Sequence, residues 1–195
     1  MAFILQSLSR TVLAGFLLIL LIVFWIGGNH VAYNSPAWFT FAFRWLHVTC
    51  AIMWIGLLWY FNFVQIPSMS KIPDEQKPAI SKVIAPAALF WFRWSALLTV
   101  IMGFGLASLN GYMALAFTFQ DPYKPIGVGM ILGLIMAFNV WFIIWPNQKK
   151  ALGIITVEPA AKAKAARLAM LTSRINTLLS IPVIFCMVAQ QHGGL

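Results

Sequence analysis

Residues 44–65 read RWLHVTCAIMWIGLLWYFNFVQ. The run is apolar enough to lie in lipid, yet an arginine and a histidine open it and an asparagine and a glutamine close it. At the helical period, Arg44, His47, Ala51, Trp54, Leu58 and Asn62 fall along one stripe. Ionisable and amide groups are costly against hydrocarbon. The stripe is therefore expected to face the interior of a helical bundle, and the polar ends become parts of one inward face.

The rest of the chain supports a lipid solvent. Of 195 residues, 62% are hydrophobic and 9% charged, whereas a soluble domain carries about 25% charged residues. Too few charges remain to coat a water-soluble surface. A spanning helix needs about 20 apolar residues, and five runs reach or approach that length: 11–28, 40–64, 85–109, 126–145 and 174–190. These predict an all-α integral membrane protein, a bundle of about five transmembrane helices in a single domain over 1–195. The first run, preceded by Arg10 and followed by no convincing cleavage site, reads as a retained signal anchor.

Charge placement sets the expected orientation. The net charge of +9 is distributed in segments flanking the apolar runs, which argues for topology and against nucleic acid. With the N-terminus cytoplasmic, Arg10, Lys71, Lys77, Lys82, Lys149, Lys150, Lys162, Lys164, Arg167 and Arg174 share the inner side, while Lys124 lies outside and Arg44 near that edge. The positive-inside rule then puts the C-terminus in the periplasm of a multi-pass bacterial inner-membrane (cytoplasmic-membrane) protein. Short surface helices are expected in SKIPDEQKPAISKVIAP (70–86) and in EPAAKAKAARLAMLTSR (158–174), the latter running into span five. GYMALAFTFQ (111–120) is too short to cross and should lie at the interface or extend span three. Gly129, Gly133 and Ala137 recur every four residues, a face that lets a neighbouring helix approach.

Intramembrane polar groups divide into two levels. His30, His47 and His192 all map to the outer side. His47 and His192 are the cofactor-binding candidates, since heme iron in a bundle takes axial groups from facing helices; His47 with His30 is a weaker metal-binding pair. Cys50 stands one turn from His47, but two ligands do not make a metal site. At the other level, Asn62, Arg93, Asn139, Asn147, Arg174 and Asn176 converge as a polar pocket, with Arg44 joined to it by the stripe on span two. None of the four acids, Asp74, Glu75, Asp121 and Glu158, lies within a span. Ion-coupled transporters commonly use a buried acid, so that class loses weight. No self-contained catalytic motif is visible, and no catalytic residue is assigned.

RWLHVTCAIMWIGLLWYFNFVQIPSM (44–69), FWFRWSALLTVIMG (90–103), GLIMAFNVWFIIWPNQKKALG (133–153) and LTSRINTLLSIPVIFCM (171–187) resemble the N-terminal membrane domain of the cytochrome c-linked urate oxidases. The resemblance covers most of the chain from Phe43 to His192. It implies a helical bundle which, in complete members, oxidises urate and passes electrons to a fused cytochrome c on the outer side. His47 then matches the family's histidine, and Arg93, Asn139 and Asn147 its polar positions. No heme c attachment motif occurs in these residues, so the expectation is a short stand-alone member without the cytochrome c domain.

Three functions follow. One is a membrane subunit of an oxidoreductase system, with a b-type heme or a metal near the outer face and an outer-face cytochrome c as electron acceptor. Another is a cofactor-free accessory subunit packed among other membrane subunits and lipids. The third is a small-molecule channel or transporter.

Overall fold

A computed structural model describes residues 2–28 and 31–193. The described residues contain helices, turns and bends and no strand. Five helices are long and apolar enough to cross a membrane: α1 (Leu8–Gly27), α2 (Pro36–Ser68), α3 (Lys77–Leu109), α4 (Lys124–Ala151) and α5 (Pro159–His192). A short helix, Met113–Phe117, lies between α3 and α4. At about 1.5 Å per residue, the 33 residues of α2 or α3 span roughly 50 Å, well beyond a hydrocarbon core of about 30 Å.

Helix ends differ from the sequence-based expectation. Residues 77–84 form no separate surface helix; they are the first turns of α3. Residues 159–173, by contrast, run into span five as expected, and α5 starts at Pro159 and closes on Gly193 at φ +67°. Nothing stops these helices where the apolar residues stop: Ala, Lys and Arg are good helix formers, and Pro is tolerated in a first turn. Residues 111–120 are a distinct piece, set off from α3 at Gly111, φ +71°.

Prolines leave a repeated signature. Residues Tyr60–Gln65, Ile80–Ile84 and Asn139–Ile144 are π-helical, and each segment ends two residues before Pro67, Pro86 or Pro146. A proline ring clashes with the carbonyl four residues back and offers no N–H. Widening the preceding turn to π geometry relieves both problems without breaking the helix.

The chain divides into two compact units, Met1–Phe41 and Ala42–Leu195. In the first, Tyr33 Oη donates to the Val23 carbonyl at 3.2 Å and also reaches the Gly28 carbonyl at 3.3 Å. Edge-on contact of Tyr33 with Trp38 follows at 5.2 Å between centroids. Along α1 only Gly27 is buried.

The second unit holds the core. Trp54, Leu58 and Phe61 of α2, Leu89, Phe92 and Ala96 of α3, Met136, Val140 and Ile144 of α4, and Val183 of α5 form one buried cluster. Phe61 meets Phe92 edge to face at 5.7 Å. α4 and α5 pack closely over much of their length, and α5 also meets α2 along 60–65. Gly129 serves that packing, since a Cβ there would stand 3.1 Å from Cys186 Cβ. Gly133 does not: nothing lies within 4 Å of its would-be Cβ, and it borders a cavity instead.

Candidate functional site

That cavity measures about 570 Å³ and lies within the second unit, walled by α2, α3, α4 and α5 with Tyr112 at its side. α5 meets α2 at residues 60–65, and the cavity opens beside the turns of α2 from Arg44 to Trp59. Most of its wall is apolar, including Trp54, Ile55, Met130 and Met187; its polar members are Arg44, His47, Thr99, Tyr112, Gln191 and His192. The volume falls within the range of small-molecule and cofactor sites, about 300–1,000 Å³.

His47 is held in one orientation. Its Nδ1 lies 2.8 Å from the Thr99 carbonyl oxygen. A carbonyl only accepts, so Nδ1 carries the proton and Nε2 presents its lone pair. The Thr99 hydroxyl takes no part, donating to the Ser95 carbonyl of its own helix at 2.7 Å. One turn on, Gly103 makes the room: a Cβ there would stand 2.9 Å from His47 Cε1 and 3.0 Å from Nδ1. Two further donors in the wall are buried and bond to nothing, Arg44 Nε and Trp54 Nε1. Trp54 is only 3% exposed, so its idle N–H is deeply enclosed. Tyr112 stacks on Tyr123 at 5.3 Å; burial pushes its phenol pKa up, the Arg44 charge pulls it down, and Tyr123 adds to the rise.

His192 borders the same cavity from the last turn of α5 and is exposed. Gln190 ties that end of α5 down, accepting from the Ile126 N–H and donating to the Pro122 carbonyl, both at 3.2 Å. His30 lies outside the described residues. Among the described residues, no three His, Cys, Asp or Glu side chains are placed to hold a metal ion.

The residues expected to form the second polar pocket meet four fates. Asn62, Asn139 and Asn176 are buried and join helices. Asn62 Nδ2 donates to Ser173 Oγ at 2.8 Å, Asn139 Nδ2 to Asn176 Oδ1 at 2.8 Å, and Asn176 Nδ2 to the Met136 carbonyl at 2.9 Å. Asn147 instead donates to the Ile143 carbonyl of its own helix at 2.8 Å, and Arg174 is exposed. Arg93 sits over the Trp145 ring, its guanidinium carbon 3.3 Å from the centroid. The shared level in sequence is thus occupied by helix-joining amides, an intrahelical bond and a stacked cation. Asn62 Oδ1 and Gln65 Oε1 remain buried without a donor, and Gln65 borders a smaller cavity of about 50 Å³ with Gln148 and Ser173.

Sequence reasoning did not single out Thr99, Gly103, Tyr112, Ser173 or Ser180. Gly103 carried a signal, since a glycine inside an apolar helix often marks a close approach. Ser173 and Ser180 extend the Asn176 stripe at three- and four-residue spacing. A backbone carbonyl partner such as that of Thr99 leaves no trace in residue type.

Residues 114–195 match the family model described as urate oxidase N-terminal. The matched stretch contains Asn139, Asn147, Arg174, Asn176 and His192; Arg44, His47, Asn62 and Arg93 precede it. No curated protein and no solved structure matches the chain.

Proposed function

We propose that the chain, whose residues 114–195 match the urate oxidase N-terminal family model, is an integral membrane subunit of an oxidoreductase system that would hold a b-type heme in the α2–α5 cavity through His47. The observation that carries this reading is the His47 seat: Nδ1 fixed by the Thr99 carbonyl at 2.8 Å, with Nε2 left over at the edge of an apolar space of about 570 Å³. Metal-ligating histidines typically spend their second nitrogen in just such a bond.

The donor set suits heme better than a bare ion. A structural metal site takes about four protein ligands, whereas heme iron takes at most two, one on each face. His47 and His192 border the same cavity from different helices. Arg44, with Nε unpartnered, is the chain's group for the porphyrin carboxylates. Thr99 and Gly103 orient the imidazole; Met130, Met187 and Trp54 exclude water. Heme, when bound there, supplies one-electron transfer. Under the positive-inside orientation the site opens towards the periplasm, where a cytochrome c is the fitting acceptor, and the apolar exterior of the helices suits neighbouring subunits.

The channel or transporter reading fares worse, because the buried amides that suggested it are spent joining helices. The cofactor-free accessory subunit differs from our reading in one measurable respect. Protein purified in mild detergent from cells supplied with heme precursor should show a Soret band and about one heme per chain. His47→Ala should abolish the band while leaving a folded helical protein. A colourless wild type, or an unchanged band in His47→Ala, overturns the heme site and leaves the accessory reading.

A further inference from the structure

Arg93 poses a separate problem at the other end of the bundle. Its guanidinium lies 3.3 Å above the Trp145 ring centroid, and Lys149 Nζ stands 5.7 Å from the same centroid. Two cations therefore share one indole. Stacking over the ring is attractive, but a ring face offers no acceptor for in-plane N–H groups. Arg93 Nε and Nη1 are buried and bond to nothing. The side chain as a whole is half-buried, so Nη2 is the edge that reaches the surface.

Among the described residues no carboxylate pairs with Arg93 or Lys149; the ion pairs there are Lys77 with Asp74 and Lys124 with Asp121. Two positive groups with no ion pair among the described residues, one of them seated over an aromatic ring, make a site for an anion from outside the chain. The exposed Nη2 edge of a guanidinium donates a charge-assisted bond to a phosphate oxygen, and an ammonium beside it adds a point charge.

Depth along the helix indicates which phosphate. Trp145 stands six residues before the end of α4 at Ala151, about 9 Å at the helical rise, and Lys149 lies one turn nearer that end. Lys150 follows it. This is the level at which long basic side chains reach lipid headgroups. We infer that Arg93, seated on Trp145 and flanked by Lys149, binds the phosphate of an anionic phospholipid in the leaflet at the lysine-rich end of α4. The inference rests on the membrane reading above and is independent of heme.

The test uses full-length protein in mild detergent, with thermal unfolding followed as phosphatidylglycerol, phosphatidylcholine or inorganic phosphate is added. Phosphatidylglycerol should raise Tm by several degrees, and native mass spectra should show one retained lipid. Arg93→Gln should lose at least half of that rise along with the retained lipid, and Lys149→Gln a smaller part. Should Arg93→Gln fail to fold, Arg93→Lys keeps the charge without the planar face and should also lose much of the rise. An equal response in Arg93→Lys and wild type, an equal rise with phosphatidylcholine, or the full rise with inorganic phosphate alone overturns the lipid site. A protein without a Soret band that still prefers phosphatidylglycerol would refute the heme reading and leave this one standing.

Discussion

The two ends of α2 are built on opposite plans. Near Asn62 the helix is knit to α5: Asn62 bonds Ser173, and Trp59 Nε1 donates to Ser180 Oγ at 3.0 Å. Near His47 the same helix stands off, and a cavity of about 570 Å³ takes the place of packing. Buried polar side chains occur at both ends but do different work. At the knit end Asn62 and Trp59 spend their N–H groups on α5, although Asn62 Oδ1 and Gln65 Oε1 lack a donor. At the open end His47 keeps a nitrogen in reserve, and Arg44 and Trp54 hold idle donors beside the cavity. A polar residue inside a bundle is thus glue where its donors reach another helix and a site where they face open space.

The comparison predicts that substitutions at the knit end cost stability; Asn176 lies off the cavity, whereas Trp59 also borders it. Asn176 is fully buried and serves both Asn139 and Met136. Asn176→Leu should destabilise most, by about 1–3 kcal/mol for the group left unpaired, read as lost Tm in detergent. Any Soret band should survive. A neutral Asn176→Leu would mean that α4 and α5 are held by their apolar contact alone. Trp59→Phe removes one bond and leaves Ser180 still donating to the Thr177 carbonyl at 2.7 Å. Its cost should be smaller, about 0.5–1.5 kcal/mol.

At the open end the signs reverse. Gly103→Ala places a methyl against the His47 ring, but the ring has the cavity to move into and alanine favours a helix by about 1 kcal/mol over glycine. Stability should change little or rise slightly. The Thr99 bond should break, seen as a shifted His47 imidazole signal in NMR and, in heme-loaded protein, as a displaced or lost Soret band. Large destabilisation with an unmoved His47 signal would show that the region is packed rather than open.

How much of this the sequence disclosed follows the same division. Five apolar runs and their lysine flanks announced the five long helices, because length and hydropathy are local properties. The inward face of α2 was legible as well: Trp54, Leu58 and Asn62 are buried, and Arg44, His47 and Ala51 border the cavity. Helix ends were set too short, since apolarity marks the lipid and not the backbone. The second polar pocket dissolved for a related reason. Level along an axis is readable from residue number, but the partner each side chain finds is not: Asn139 reaches Asn176 on another helix, while Asn147 bonds within its own. Arg174 and Asn176 stand two residues apart, and only Asn176 turns inward. The cavity itself was invisible, because it depends on where α2 fails to pack, and nothing in residues 36–59 records the distance to a neighbour.

The smallest effect tests the rim of the open end, where Arg44 and Tyr112 feel one another. Burial raises the Tyr112 pKa while the Arg44 charge opposes the rise. A phenol raised in the fold contributes stability that is fully present below its unfolded pKa of about 10 and is lost as the pH climbs through the folded value. Removing the opposing charge in Arg44→Gln should move the Tyr112 titration further up. It should be measured as phenolate absorbance after subtraction of the Tyr112→Phe curve. Movement downward, or none, would separate Arg44 from Tyr112 and detach the guanidinium from the mouth of the cavity. The same titration in heme-loaded protein sharpens the comparison, because a carboxylate drawn to Arg44 would cancel part of its charge and shift Tyr112 in the same upward sense.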